Sequence, residues 1–171
     1  MAGVPAAAVA QLRVQRAAAS GAVVATLDAQ TALDLPGNAS VPVRLEVQCS
    51  GDGVHYVLID FATPRLSNKT ETIDVELQQR FDGSEGSSSE PWSVEYDVLA
   101  GREEPPTGPS ELRNLQVNRM VHIGDQDAFV ARLVRADYFT SERPASPGHA
   151  FLFELSHLDQ EIAALRRHCG L

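Results

Sequence analysis

His122, Asp125 and Asp127 form the tightest cluster of metal-capable side chains in the chain. One imidazole and two carboxylates on a turn are a donor set for a divalent cation. Three donors without a fourth fall short of a structural zinc site. Gly124-Asp125 is also ordinary turn chemistry, so a turn with no bound metal is expected. The other histidines, His55, His149, His157 and His168, are scattered. His168 adjoins Cys169, but neighbours on a helix point about 100° apart, so the two make no Cys–His pair. Cys49 lies on the apolar side of an alternating stretch, where burial is the commoner fate. There is no G-x-S-x-G elbow for a nucleophile. The Gly/Ser-rich stretch 83–89 lacks Lys and leads towards a strand, so it is no phosphate-binding loop. These readings give a non-enzymatic chain with no catalytic residues and no cofactor.

The chain of 171 residues has a net charge of −9, with 43% hydrophobic and 22% charged residues. That suffices for one core and excludes a disordered chain. The charge is localised. Residues 52–111 hold thirteen acids against four bases, whereas each flanking segment is balanced. Nucleic acid is a poor partner for such a balance. The acids Asp82, Glu85, Glu90, Glu103 and Glu104 fall in two loops and read as a solvated rim that protects a sheet edge. No apolar run approaches the ~18 residues of a membrane helix. Two cysteines, Cys49 and Cys169, make no disulfide framework, and free thiols in a reducing, cytoplasmic setting are expected. The first 27 residues contain no acid, two Arg and many Ala. Organellar transit peptides share that composition, so targeting stays open, with an Ala-rich element of the fold preferred.

The elements that must position these residues are read from periodicity. Residues 41–49 alternate, with Val41, Val43, Leu45, Val47 and Cys49 on one side and Arg44, Glu46 and Gln48 on the other, which predicts a half-buried strand. Residues 54–62 are apolar on both faces and predict a more central strand, paired with the first as a hairpin. Residues 73–81 and 92–98 alternate, with Trp92 directed to the core and acids outward. A surface loop over 82–91, a strand from Leu115 to Ile123, a strand over 129–134, a loop over 140–148 and a short strand over 150–155 complete the pattern. The N-terminal third predicts either a hairpin of 10–16 with 22–35 or a helix over 6–19. About eight strands imply a mainly β fold, an antiparallel sandwich or barrel-like domain over 1–154.

The end of the chain differs. Leu155, Leu158, Ile162, Leu165 and Cys169 recur at spacings of three and four, the stripe of an amphipathic helix within 155–171. Ser156 with Asp159 suggests a capped start, Arg166, Arg167 and His168 suit the last turn, and Gly170 marks the stop. The stripe is the predicted partner interface, preferably an intermolecular seam or self-association. A β-head followed by a helix is similar in layout to the heads of centriolar cartwheel and end-joining scaffold proteins, though no motif of those families is present. The resulting expectation is a structural or assembly module acting through protein–protein contacts. The alternative is a ligand-binding β-sandwich for a lipid, metal or small molecule.

Overall fold

A computed structural model describes residues 12–16, 21–35, 39–82 and 86–171. The elements in chain order are β1 (Leu12–Arg16), β2 (Val23–Asp28), β3 (Leu33–Leu35), β4 (Ala39–Val41), β5 (Arg44–Ser50), β6 (Gly53–Asp60), β7 (Thr70–Asp82), β8 (Gly86–Asp97), β9 (Val117–His122), α1 (Gln126–Leu133), β10 (Tyr138–Arg143), β11 (Ser146–Glu154) and α2 (Asp159–Cys169). Among the described residues nine strands make one antiparallel sheet in the order β1-β2-β5-β6-β9-β8-β7-β10-β11, and β3 pairs with β4 in a separate small sheet. The sheet curls into a half-barrel. Both helices pack on its inner face, and among the described residues no helix covers the outer face.

Alternation sets this architecture. Along β5, Leu45, Val47 and Cys49 are buried while Arg44, Glu46 and Gln48 turn outward. Along β7 and β8, Val75, Leu77, Phe81, Trp92, Val94 and Tyr96 enter the same core. Fully burying one such large side chain contributes about 1.5–3 kcal/mol before entropy is subtracted. The strand over 54–62 is central as expected, flanked by β5 and β9. Of the two N-terminal readings, the hairpin is observed among the described residues in shortened form, since β2 ends at Asp28 and Leu33–Leu35 pairs with β4 instead. Leu12 pairs with Leu27 and Arg16 with Val23, while most of the alternative helix over 6–19 lies outside them.

Three expectations are corrected. The run 129–134 is helical, within α1. Asp125 caps it by accepting a hydrogen bond from the Ala128 N–H, and Phe129, Val130 and Leu133 face the core. A short apolar run fits both periods, and the Asp cap decides in favour of helix. Residues 86–91 are strand rather than loop: Phe81 pairs with Gly86 and Glu76 with Pro91, so serines there are outward or rim positions of a long hairpin. The segment 140–148 is mostly the β10–β11 hairpin, with a register shift at Glu142 and Arg143. At the C-terminus, α2 begins at Asp159 with Leu158 as an N-cap that makes no side-chain bond. Ser156 donates to Glu154 instead of capping. Gly170 does end the helix, in a left-handed conformation at φ 71°.

Candidate interaction surface

The candidate metal residues are drawn apart by the fold. His122 is fully buried on the inner face, packed between Trp92 and Phe129. Asp125 caps α1, and Asp127 accepts the Val54 N–H at 2.7 Å. Among the described residues no group of three or more His, Cys, Asp or Glu is placed to hold a metal ion. His122 Nε2 instead meets Glu90 Oε2 at 3.1 Å, and Glu90 Oε1 takes Arg132 Nη1 at 2.7 Å. Glu90 is thus no loop acid. It sits on the inner rim of β8, bonded also by Ser88, with the Arg132 guanidinium lying over the Phe81 ring at 4.2 Å. Burial alone would raise the Glu90 carboxyl. The hydrogen bonds from Ser88 and His122 and the charges of His122 and Arg132 outweigh it and hold the group below the usual carboxylate range.

The β5–β6 turn assembles Ser50, Asp52 and His55, a combination that the sequence analysis did not single out. Ser50 Oγ lies 2.6 Å from His55 Nε2, and Asp52 approaches that same nitrogen at 3.3 Å. A catalytic triad needs the carboxylate on the opposite ring nitrogen, so this arrangement is a hydrogen-bonded turn. His149 is exposed, and His157 approaches Glu154 at 3.6 Å. Of the rim acids, Asp82 pairs with Arg80 at 2.6 Å, Glu103 and Glu104 are exposed, and Glu85 lies outside the described residues.

The helix stripe is already covered within the chain. Leu155, Leu158, Leu165 and Cys169 are buried, and Ile162 is half-buried. They close over Leu12, Ala25, Leu27, Leu45 and Val47, leaving a gap of about 10 Å³. That gap is about the size of one water and too small for a ligand. The preferred intermolecular seam is therefore corrected: the stripe packs on the chain's own sheet, because the inner faces of β1, β2 and β5 offer it an apolar floor. Nor does α2 project from the β-domain, as the scaffold-head layout would require. The free-thiol expectation is corrected with it. Cys49 and Cys169 form a disulfide, since the last turn of α2 lands on the inner face of β5. Alternation placed Cys49 inward and the stripe placed Cys169 on the docked face, but the docking that joins them was not legible.

The open outer face carries an ordered charge pattern. Antiparallel register aligns Asp28, Arg44, Asp60, Arg119 and Glu95 in one row across β2, β5, β6, β9 and β8, alternating in sign. Arg44 bonds Asp28 at 3.1 Å, and Arg119 bonds Glu95 at 3.1 Å. Arg65, from the loop after β6, reaches the other Glu95 oxygen at 2.8 Å. One carboxylate therefore fixes two guanidiniums, each about half exposed, with N–H donors to spare. The next row is Glu46, Leu58, Val121 and Ser93. Tyr56 donates to Glu46, and burial together with that carboxylate pushes the phenol up to about 12.

Tyr56, Leu58, Asp60, Arg65, Arg119 and Val121 are among the residues that line an open groove of about 530 Å³. Its wall is the segment 62–69, anchored by a buried polar network. Thr63 bonds Asn118 at 2.9 Å, Asn118 bonds Asp97 at 2.9 Å, and the Leu66 N–H donates to Asp97 at 2.6 Å. Ala62 enters this wall at φ 47°, a left-handed conformation costly for a residue with a Cβ. Charged ends, a Tyr and an apolar floor of Leu58 and Val121 meet in this groove, and Arg and Tyr are among the side chains that most often anchor protein contacts. From the sequence, Glu46 reads as an outward strand residue and Tyr56 and Leu58 as members of a strand apolar on both faces, with no sign of a groove between them. No helix among the described residues is long and apolar enough to cross a membrane. No protein-family model matches the chain, and neither does any curated protein or solved structure.

Proposed function

We propose that the chain is a non-enzymatic structural or assembly module that acts through protein–protein contacts, and that its recognition surface is the outer face of β5, β6, β9 and β8. The observation that carries this reading is the pair of guanidiniums, Arg65 and Arg119, held by Glu95 beside the apolar floor of Leu58 and Val121. Holding two long side chains in place before binding removes part of the ordering cost that association otherwise incurs. The C-terminal helix, the docking seam of the sequence reading, serves here to close the inner face. A ligand inside the fold has less support, since the gap under α2 is water-sized. The Cys49–Cys169 bridge favours a compartment that is not reducing, in place of the cytoplasm.

Photo-crosslinking in the native source tests the surface. A photo-reactive phenylalanine analogue at position 56 is expected to capture protein, and the same analogue at exposed position 157, below the helix layer, is not. Absence of any adduct from position 56, or equal capture from 157, overturns the reading.

A further inference from the structure

We infer that the occupant of the outer face is a second copy of this chain, packed face to face about a two-fold axis that runs along the strands between β6 and β9. This rests on the reading of that face as a protein-binding surface and names its partner. The charge row is self-complementary about that axis. Two facing sheets related by an in-plane two-fold axis superpose each position on its mirror position across the axis. With the axis between β6 and β9, Asp60 of one copy meets Arg119 of the other, and Arg44 meets Glu95. Leu58 meets Val121 in the next row. One alternation further along, Tyr56 meets Ile123, which is 47% exposed in the single chain. Each contact occurs twice, and both charged pairs, Asp60 with Arg119 and Arg44 with Glu95, are of opposite sign. Moving the axis onto β6 or β9 sets Asp60 on Asp60 or Arg119 on Arg119, and moving it a whole strand sets Leu58 on Glu46 or on Asp74, so the two rows together select the position between β6 and β9.

The groove wall fits the same arrangement. Beyond its first residue, whose N–H Asp60 holds, the segment 62–69 is tied to the far side of the face, through Asn118 on β9 and Glu95 and Asp97 on β8. The two-fold axis therefore sets each copy's wall against the other copy's β5 and β6, beside the second wall and not on top of it. Leu66 on that wall is 65% exposed, an apolar knob facing the partner's groove.

Sedimentation velocity of the oxidised, full-length chain over a concentration series tests the inference. The native chain is expected to dimerise, more weakly at high salt because its facing charges are screened. Arg119→Asp and Asp60→Arg each set like charges on each other twice and are expected to weaken the dimer about a hundredfold. The double variant restores opposite signs at both contacts and is expected to regain dimer. Leu58→Lys is a second disruption that leaves the charge row in place, and circular dichroism identifies any variant that fails to fold. A native chain that stays monomeric at every concentration, a dimer indifferent to Arg119→Asp, or a double variant no better than the singles overturns the inference. Position 56 then separates the two readings. Capture of another protein by a monomeric chain overturns only self-association, and capture of nothing overturns both.

Discussion

Cys49 and Cys169 stand 5.0 Å apart at their Cα atoms and are joined by a disulfide across 120 residues of sequence. The bond ties the end of β5 to the last turn of α2, next to a Gly170 whose added Cβ would lie 3.1 Å from the Gly51 carbonyl oxygen. A loop of this length loses much of its unfolded-state freedom when closed, worth roughly 4–5 kcal/mol in the chain-entropy description. Replacing both cysteines by Ala is expected to cost about 2–4 kcal/mol and to lower the melting temperature by roughly 5–15 °C. Thermal melts with and without reductant check this, and an unchanged midpoint would show that the bridge contributes nothing to the fold.

The helix stripe divides into residues that the core needs and one that it tolerates losing. Leu165 is 2% exposed, whereas Ile162 is only half-buried at the edge of the gap under α2. Leu165→Ala is expected to destabilise by about 2–4 kcal/mol, and Ile162→Ala by less than half of that. Urea unfolding of the oxidised protein measures both. Equal losses would mean that Ile162 is as well packed as Leu165, contrary to the observed geometry.

What could be read from the residues alone follows from the range of the interactions involved. Period-two alternation is a local signal, so β5, β6, β7 and β9 were legible, as was the heptad spacing of α2. The run at Phe129 was too short for periodicity to decide, and only the Asp125 cap settles it as helix. The serines of β8 read as loop because pairing with β7, not propensity, makes them strand. The outer-face row was invisible for a deeper reason. Each of its members is an unremarkable outward residue on its own strand. Their alternation in sign exists only once five strands separated by up to 91 positions are set in register.

Glu90 links stability to acid. Its folded carboxyl lies below the ordinary value, so the ionised form is favoured by folding. The stability it contributes is therefore fully present above the unfolded carboxyl value of about 4.3, and it is lost as pH falls through that value towards the lowered folded one. Glu90→Gln is expected to be less stable than the native chain at neutral pH and to show a shallower loss between about pH 5 and pH 3. Urea midpoints across that range check the slope. Identical slopes for the two proteins would sink the assignment.

The wall of the groove contains one backbone position at odds with its side chain. Ala62, at φ 47°, has its N–H held by Asp60, so the turn is enforced by a residue of the charge row itself. A non-glycine residue in this conformation costs about 1–2 kcal/mol, against the 0.5–1 kcal/mol that glycine loses in unfolded-state entropy. Ala62→Gly is therefore expected to be neutral or to stabilise by up to ~1 kcal/mol. Asp60→Asn keeps an oxygen for the turn and removes the charge. It is expected to leave the fold near native stability and to weaken whatever binding the outer face performs. Measuring unfolding and self-association on the same two variants separates the wall's backbone from the row's electrostatics. Ala62→Gly should leave binding unchanged at equal or slightly higher stability, and Asp60→Asn should weaken binding at near-native stability. Were Asp60→Asn to lose stability and keep its association, Asp60 would serve the turn alone and the charge row would not reach beyond the molecule.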